Sequence, residues 1–241
     1  MTKKVKDRFI KSIAITIFIL VSIAMVIKFQ GALFLRMYVM FGIGDCAKIP
    51  ILCMTPGERV ISESFDQQEP EDFISHIFSD MSIRVPRGFT VVEREIKRVY
   101  YKKNKHIGKG AIIYLLYRPP GSFMSLYPQL KDSGVYSDYE FFRRLMFADE
   151  RKIKSINDAF FVIMKGIFTP DLGDQTKVQM AALNLEEISG FINYNIGGKE
   201  NYFDCNIFDS QGNYFKIYIR DTKAVLDLDK VLAIISTASA N

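Results

Sequence analysis

The chain has no tryptophan, two histidines (His76 and His106) and three cysteines (Cys46, Cys53 and Cys205) in 241 residues. With no histidine pair at ligand spacing there is no zinc-protease pattern, and no GxSxG turn supplies a nucleophile. The run His106-Ile107-Gly108-Lys109-Gly110 lacks the GxxxxGK[ST] of a phosphate loop and precedes strand-like residues, so it reads as a hairpin turn. Asp171, Gly173, Asp174 and Thr176 lack the alternating ligands and terminal Glu of a calcium loop, and they read as a turn. His76 reads as a solvated polar position, and pairs such as Glu186-Glu187 are too common on surfaces to name an acid/base couple. No catalytic, cofactor or metal residue is nominated on this inventory.

Three cysteines cannot build a disulfide framework, which a chain of this size does not require. Cys46 and Cys53 share a loop-like stretch with Pro50 and Pro56. They are a candidate small-loop disulfide in an oxidising compartment, or else two free thiols, because their spacing matches neither a zinc nor a redox signature. Cys205 sits in an alternating pattern and reads as a buried apolar residue.

Charge of one sign is also scarce once its distribution is considered. The formal net charge is +5, but residues 1–11 carry five cations (Lys3, Lys4, Lys6, Arg8, Lys11) and one anion, leaving the remainder at +1. Overall charge therefore gives little support to nucleic-acid binding. Within the remainder, 84–109 holds nine basic and two acidic residues. Arg94, Lys97, Arg98, Lys102, Lys103 and Lys105 alternate there with Tyr100 and Tyr101, as in a surface for anionic headgroups, a polyanion or an acidic partner. The same charges would equally keep an edge strand from pairing.

Long uncharged runs are rare, with one exception. Ser12–Ile27 has sixteen residues without a charge, bracketed by Lys11 and Lys28. Crossing about 30 Å of hydrocarbon takes roughly 20 residues, a length reached by adding Phe9 and Ile10 and letting the flanking lysines snorkel. No small-x-small cleavage site follows, so the run is expected to be an uncleaved single-pass anchor. The basic bias before it puts the amino terminus in the cytoplasm and the rest outside. The expected organisation is a tail at 1–11, a transmembrane helix at 12–28, an apolar juxtamembrane segment and Cys/Pro connector at 29–57, and an α+β domain at 58–241. Phe29–Ile43 is expected to continue the span or to lie at the outer interface.

In the domain, Glu58–Ser64 reads as a short strand. Residues 69–80 read as a helix from the first-turn pattern Glu69-Pro70-Glu71-Asp72 and the apolar Phe73, Ile74, Ile77 and Phe78. Met81–Val85 and Phe89–Lys102 are strand-like, and Ala111–Tyr117 suggests a strand buried on both faces. Arg118–Gly134 reads as a long loop exposing Phe123 and Tyr127. A helix capped at Ser137 or Asp138 buries Phe141, Phe142, Leu145 and Met146, and Ala159–Phe168 reads as a strand. Lys177–Leu185, Gly190–Ile196, Tyr202–Phe208 and Tyr214–Arg220 form a meander, closed by a helix over Asp227–Ser236. The sum is a mainly antiparallel sheet packed with helices.

The segments MSIRVPRGF, FDSQGNYFKIYIRD and LDKVLAIIS, in this order around a central helix, resemble the PsbP-like family over about Met81–Ser236. The resemblance implies an α/β/α sandwich and an exported accessory or assembly protein, with no site residue carried over. On this reading the chain is a membrane-anchored extracytoplasmic binding or assembly module. Its partners would be the bilayer, through Ser12–Ile27, and a protein at the membrane, with nucleic acid disfavoured and no cofactor. The alternatives are a hydrolase-like enzyme or a cytoplasm-facing domain that binds anionic lipid through Arg84–Lys109.

Overall fold

The computed structural model describes residues 31–57, 60–62, 73–78, 80–94, 97–102, 110–223 and 226–241, with 92–94 and 97–102 as backbone only. The predicted tail and span, 1–28, lie outside these residues. Among the described residues no helix is long and apolar enough to cross a membrane.

The fold is α+β and is organised around an eight-stranded sheet. Its strands are β1 (Val60–Ile61), β4 (Phe89–Arg94), β5 (Lys97–Lys102), β6 (Ala111–Arg118), β7 (Gln179–Asn184), β8 (Ile188–Asn195), β9 (Asn201–Asp209) and β10 (Tyr214–Asp221). The order is β1-β7-β8-β9-β10-β6-β5-β4, antiparallel throughout except where β1 runs parallel to β7. Short turns at Gly197 and Gly212, both with φ near +85°, let β8–β9 and β9–β10 close as hairpins. Gly190 in β8 is needed for a different reason, since a Cβ there would meet the Asn206 carbonyl oxygen of β9 at 2.2 Å.

One face of this sheet is covered by a second sheet, ordered β11-β3-β2, and by helix α5 (Leu228–Ile235). Here β2 is Phe73–Ile77, β3 Met81–Pro86 and β11 Ser239–Ala240. Alternate residues of β3, Met81, Ile83 and Val85, pack with Val231, Leu232 and Ile235 onto Ile113, Ile192, Phe203, Ile207 and Ile217. The other face carries helices α2 (Ser122–Leu126), α3 (Asp138–Phe147) and α4 (Ile156–Phe168). Phe123, Phe141, Phe142 and Phe161 make its aromatic core with Phe208 and Tyr214; the Phe123 ring stands edge-on to Phe142 and Tyr214, each at 4.9 Å. A helix over residues 31–42, α1, lies beside α4.

Four sequence expectations are corrected. The helix predicted over 69–80 is strand β2, because Phe73–Ile77 pairs residue by residue with β3, Phe73 opposite Pro86 and Ile77 opposite Ser82. Its supposed first turn, Glu69–Asp72, lies outside the described residues. The strand predicted over Ala159–Phe168 is helix α4, started by a capping box in which Ser155 accepts from Asp158 N–H and Asp158 accepts from Ser155 N–H. The predicted loop at Arg118–Gly134 contains α2 and a 3₁₀ turn at Pro128–Ser133, with Phe123 buried and Tyr127 half-buried. Its cap comes from a distant residue: the buried Asp138 carboxylate accepts from the N–H groups of Phe123 and Met124 at 3.1 and 2.9 Å. Strand β6 is also less enclosed than expected, with Tyr114 45% exposed.

Candidate functional site

Two groups of polar residues are drawn together by the fold. The first is at the corner where α1 meets the α3–α4 connection. The chain leaves α1, turns at Gly44, and forms a 3₁₀ turn at Pro50–Cys53. That turn brings Cys53 back to Cys46, and the two are bonded, with Cα atoms 5.7 Å apart. The buried Glu150 carboxylate sits against the pair. Its Oε2 accepts from Cys46 N–H at 3.0 Å and lies 2.7 Å from Cys46 Sγ and 3.9 Å from Cys53 Sγ.

The residues on either side of Glu150 extend this corner. Asp149 is buried and accepts from Arg151 Nε and Nη2, both at 2.9 Å, and these bonds hold its carboxyl below the ordinary aspartate range. The same guanidinium donates to the Cys53 carbonyl at 2.9 Å, while Arg36 of α1 donates to the Arg151 carbonyl. Lys165, fully buried in α4, donates to the carbonyls of Met54, Met146 and Ala148. Burial pushes Lys165 down to about 7, with Asp149 pulling the other way. Below that value the three carbonyl acceptors match the three N–H bonds of the ammonium form, and the contacts hold the end of α3 to the connector. Beside it opens a cleft of about 250 Å³ lined by Arg144, Asp149, Lys152, Asn157, Asp158 and Phe161 among others.

Cys46, Cys53 and Glu150 are also the one Cys/His/Asp/Glu group among the described residues whose ligand atoms lie within 4.8 Å of one another. When reduced, two thiolates and a carboxylate suit a borderline-soft ion such as zinc. In the bonded state both sulfurs are committed to each other. The corner then acts as a staple that ties α1 to the domain.

The second group lies on the helical face of the sheet. Asp204, Asn193 and Asn206 are wholly buried there. Asn193 and Asn206 donate to Asp204 Oδ2 at 3.3 and 3.2 Å, Lys216 Nζ lies 3.1 Å from Asp204 Oδ1, and Tyr214 OH donates to Asn206 Oδ1 at 2.8 Å. Burial pushes the Tyr214 phenol well up, so it stays protonated as the donor. Neighbouring strand residues reach out of the sheet. Lys216 donates to the Phe168 carbonyl at 2.6 Å, Tyr218 to Asp171 at 3.1 Å, and Asn195 to Leu172 and Asp174 at 2.8 and 3.2 Å. These acceptors belong to the last residue of α4 and the irregular segment after it, whose carbonyls have no ladder of their own. In that segment Asp171 accepts from Gly173 N–H and Asp174 from Thr176 N–H, the local turns expected of this stretch.

Of the residues singled out for anion or partner binding, Lys103 and Lys105 lie outside the described residues. Arg94, Lys97, Arg98, Tyr100, Tyr101 and Lys102 fall in the hairpin β4–β5, where Arg94 pairs with Lys97 and Glu93 with Arg98. Positions 97 and 101 alternate with 98, 100 and 102 along β5, so the pleat divides the basic residues between two sets of positions. Sequence reasoning missed Glu150, about a hundred residues from the cysteines it meets, and the Asp204–Lys216 pair. Lys165 did leave a signal, as the lone charge in the apolar run AFFVIMKGIF. Compared with protein-family models and with curated proteins, the chain matches none.

Proposed function

We propose that the protein is a single-pass, membrane-anchored extracytoplasmic module that binds or assembles with a protein partner, an accessory protein of the PsbP-like kind. The bonded Cys46–Cys53 pair carries this reading, because such a bond persists in oxidising compartments and this one sits at the root of the domain, just after the apolar stretch. The uncharged Ser12–Ile27 and the five cations before it support the anchor and its orientation. The polar groups of the helical layer support a scaffold, since Lys165, Lys216, Tyr218 and Asn195 all donate to main-chain carbonyls. Layers of α, sheet, and sheet with α suit the PsbP-like order of elements, an analogy of fold alone.

The test is thiol labelling of intact cells with a membrane-impermeant maleimide. Cys46 and Cys53 are expected to label only after reduction, with no need to open the cells. Labelling that needs opened cells and no reductant would sink the reading.

A further inference from the structure

Helix α1 has apolar residues all round. Its one charge within 31–42 is Arg36. A stripe at Leu35, Val39 and Ile43 packs on Ala159, Val162 and Ile163 of α4, with Val39 fully buried. Gly166 allows this approach, since a Cβ there would meet Ile43 Cγ2 at 2.9 Å. The rest of the helix surface is Leu33, Phe34, Met37, Tyr38, Met40 and Phe41, all exposed, with Phe41 at 85% and Phe34 at 69%. A solvated helix would carry charge on that side, and a contiguous apolar face of this kind marks an interaction surface.

We infer that this outer face of α1 lies in the polar–apolar boundary of the lipid bilayer, seating the domain flat against the membrane instead of leaving it on a flexible stalk. The inference rests on the anchor reading above. Lipid is favoured as the occupant because only Lys28, Phe29 and Gln30 separate Gly31 from the uncharged run 12–27, the stretch expected to span the bilayer. Arg36 is turned inward, to the Arg151 carbonyl. Lys48, Arg151 and Lys152 are exposed in the corner that follows α1, as cations for headgroup phosphates. Tyr38 supplies the amphipathic ring typical of that depth. Helix α4 also exposes Ile156 and Ile167, 74% and 67%, on the stripe that carries Ile163.

The absence of tryptophan makes a background-free test available. Phe41→Trp and, as a control on the opposite side of the large sheet, Ile77→Trp (native Ile77 76% exposed) are placed in the full chain in phosphatidylcholine/phosphatidylglycerol vesicles. Both positions are open, so folding is undisturbed. Phe41→Trp is expected to emit at shorter wavelength and to lose more than half its fluorescence to lipids brominated near the headgroup. Ile77→Trp should respond only to aqueous acrylamide. If the chain resists carbonate extraction yet Phe41→Trp responds only to acrylamide, the inference falls and the anchor stands. Strongest quenching by bromines near the chain ends would also overturn it, by placing α1 across the bilayer. Release of the chain by carbonate would remove the anchor reading itself.

Discussion

Phe203 and Asp204 are successive residues of β9, and both are wholly buried, yet they lie in unlike surroundings. Phe203 points into a core of Ile, Leu, Val and Phe under the three-stranded sheet and α5. Asp204 points under the helical layer, into a network with Asn193, Asn206 and Lys216. The difference follows the covering layers. On the first face the cover is strand and helix, which satisfy their own backbone groups, so the strands need offer only shape. On the second the cover includes the irregular segment after α4, whose carbonyls must be met from below. Lys216, Tyr218 and Asn195 supply those donors, and Asp204 balances the lysine.

The largest expected effect is on the apolar face. Phe203→Ala should lower stability by about 3–5 kcal/mol in urea unfolding, because the cavity cannot close between two regular layers. A loss below about 1 kcal/mol would mean that the face is loosely packed. Asp204→Ala on the opposite face is expected to cost about 3 kcal/mol, leaving two amides and an ammonium without their acceptor. Unlike the Phe203 cavity, this loss should be recovered in part by Asp204→Leu with Lys216→Met, which removes the unpaired ammonium and leaves only the Asn193 and Asn206 amides without their acceptor. If the double variant stays as unstable as Asp204→Ala, support of the Phe168 carbonyl outweighs the ion pair.

Lys165→Met should cost roughly 2–3 kcal/mol by stranding three carbonyls of the helical layer. It also carries a pH signature. With Lys165 near 7 when folded and at its ordinary 10.5 when unfolded, the unfolded chain alone holds the proton between those values. Stability contributed by this group therefore rises with pH across that window, and the rise should vanish in Lys165→Met. Cys46→Ser, which opens a short loop, is expected to cost about 2 kcal/mol in thermal melts under oxidising conditions and nothing under strong reductant. Equal losses in both conditions would shift the weight from the bond to the Glu150 contacts.

The smallest effect belongs to the sheet's exposed rim. The Glu200 carboxyl is held below its ordinary range chiefly by its hydrogen bond from Arg220 and next by that from Tyr202. Both side chains of the ion pair meet water, so Arg220→Ala should cost under about 1 kcal/mol, less still at high salt. A larger loss would show that the rim shares the energetics of the buried belt.

The meander β7–β10 and helix α5 were legible because alternation and 3.6-residue periodicity report burial directly, and Asp227 caps α5 by accepting from Lys230 N–H. Strand β2 and helix α4 were misread because short apolar runs fit either form. In β2 the partner strand decided, while for α4 the Ser155–Asp158 box was present in the sequence. Cys46 and Cys53 could be paired by proximity. Glu150 could not be added to them, since nothing local links it to residues about a hundred positions away.

The sequence by itself determined the anchor-like apolar run, the α+β character and most strand positions, because these follow from periodicity and turn residues acting over a few positions. Only the tertiary structure decided that Glu150 meets the cysteines, that α1 exposes an apolar face, and that one side of the sheet holds a buried polar network beside its aromatic core. Each of these depends on what covers a surface, and the cover is supplied by segments far away in the chain.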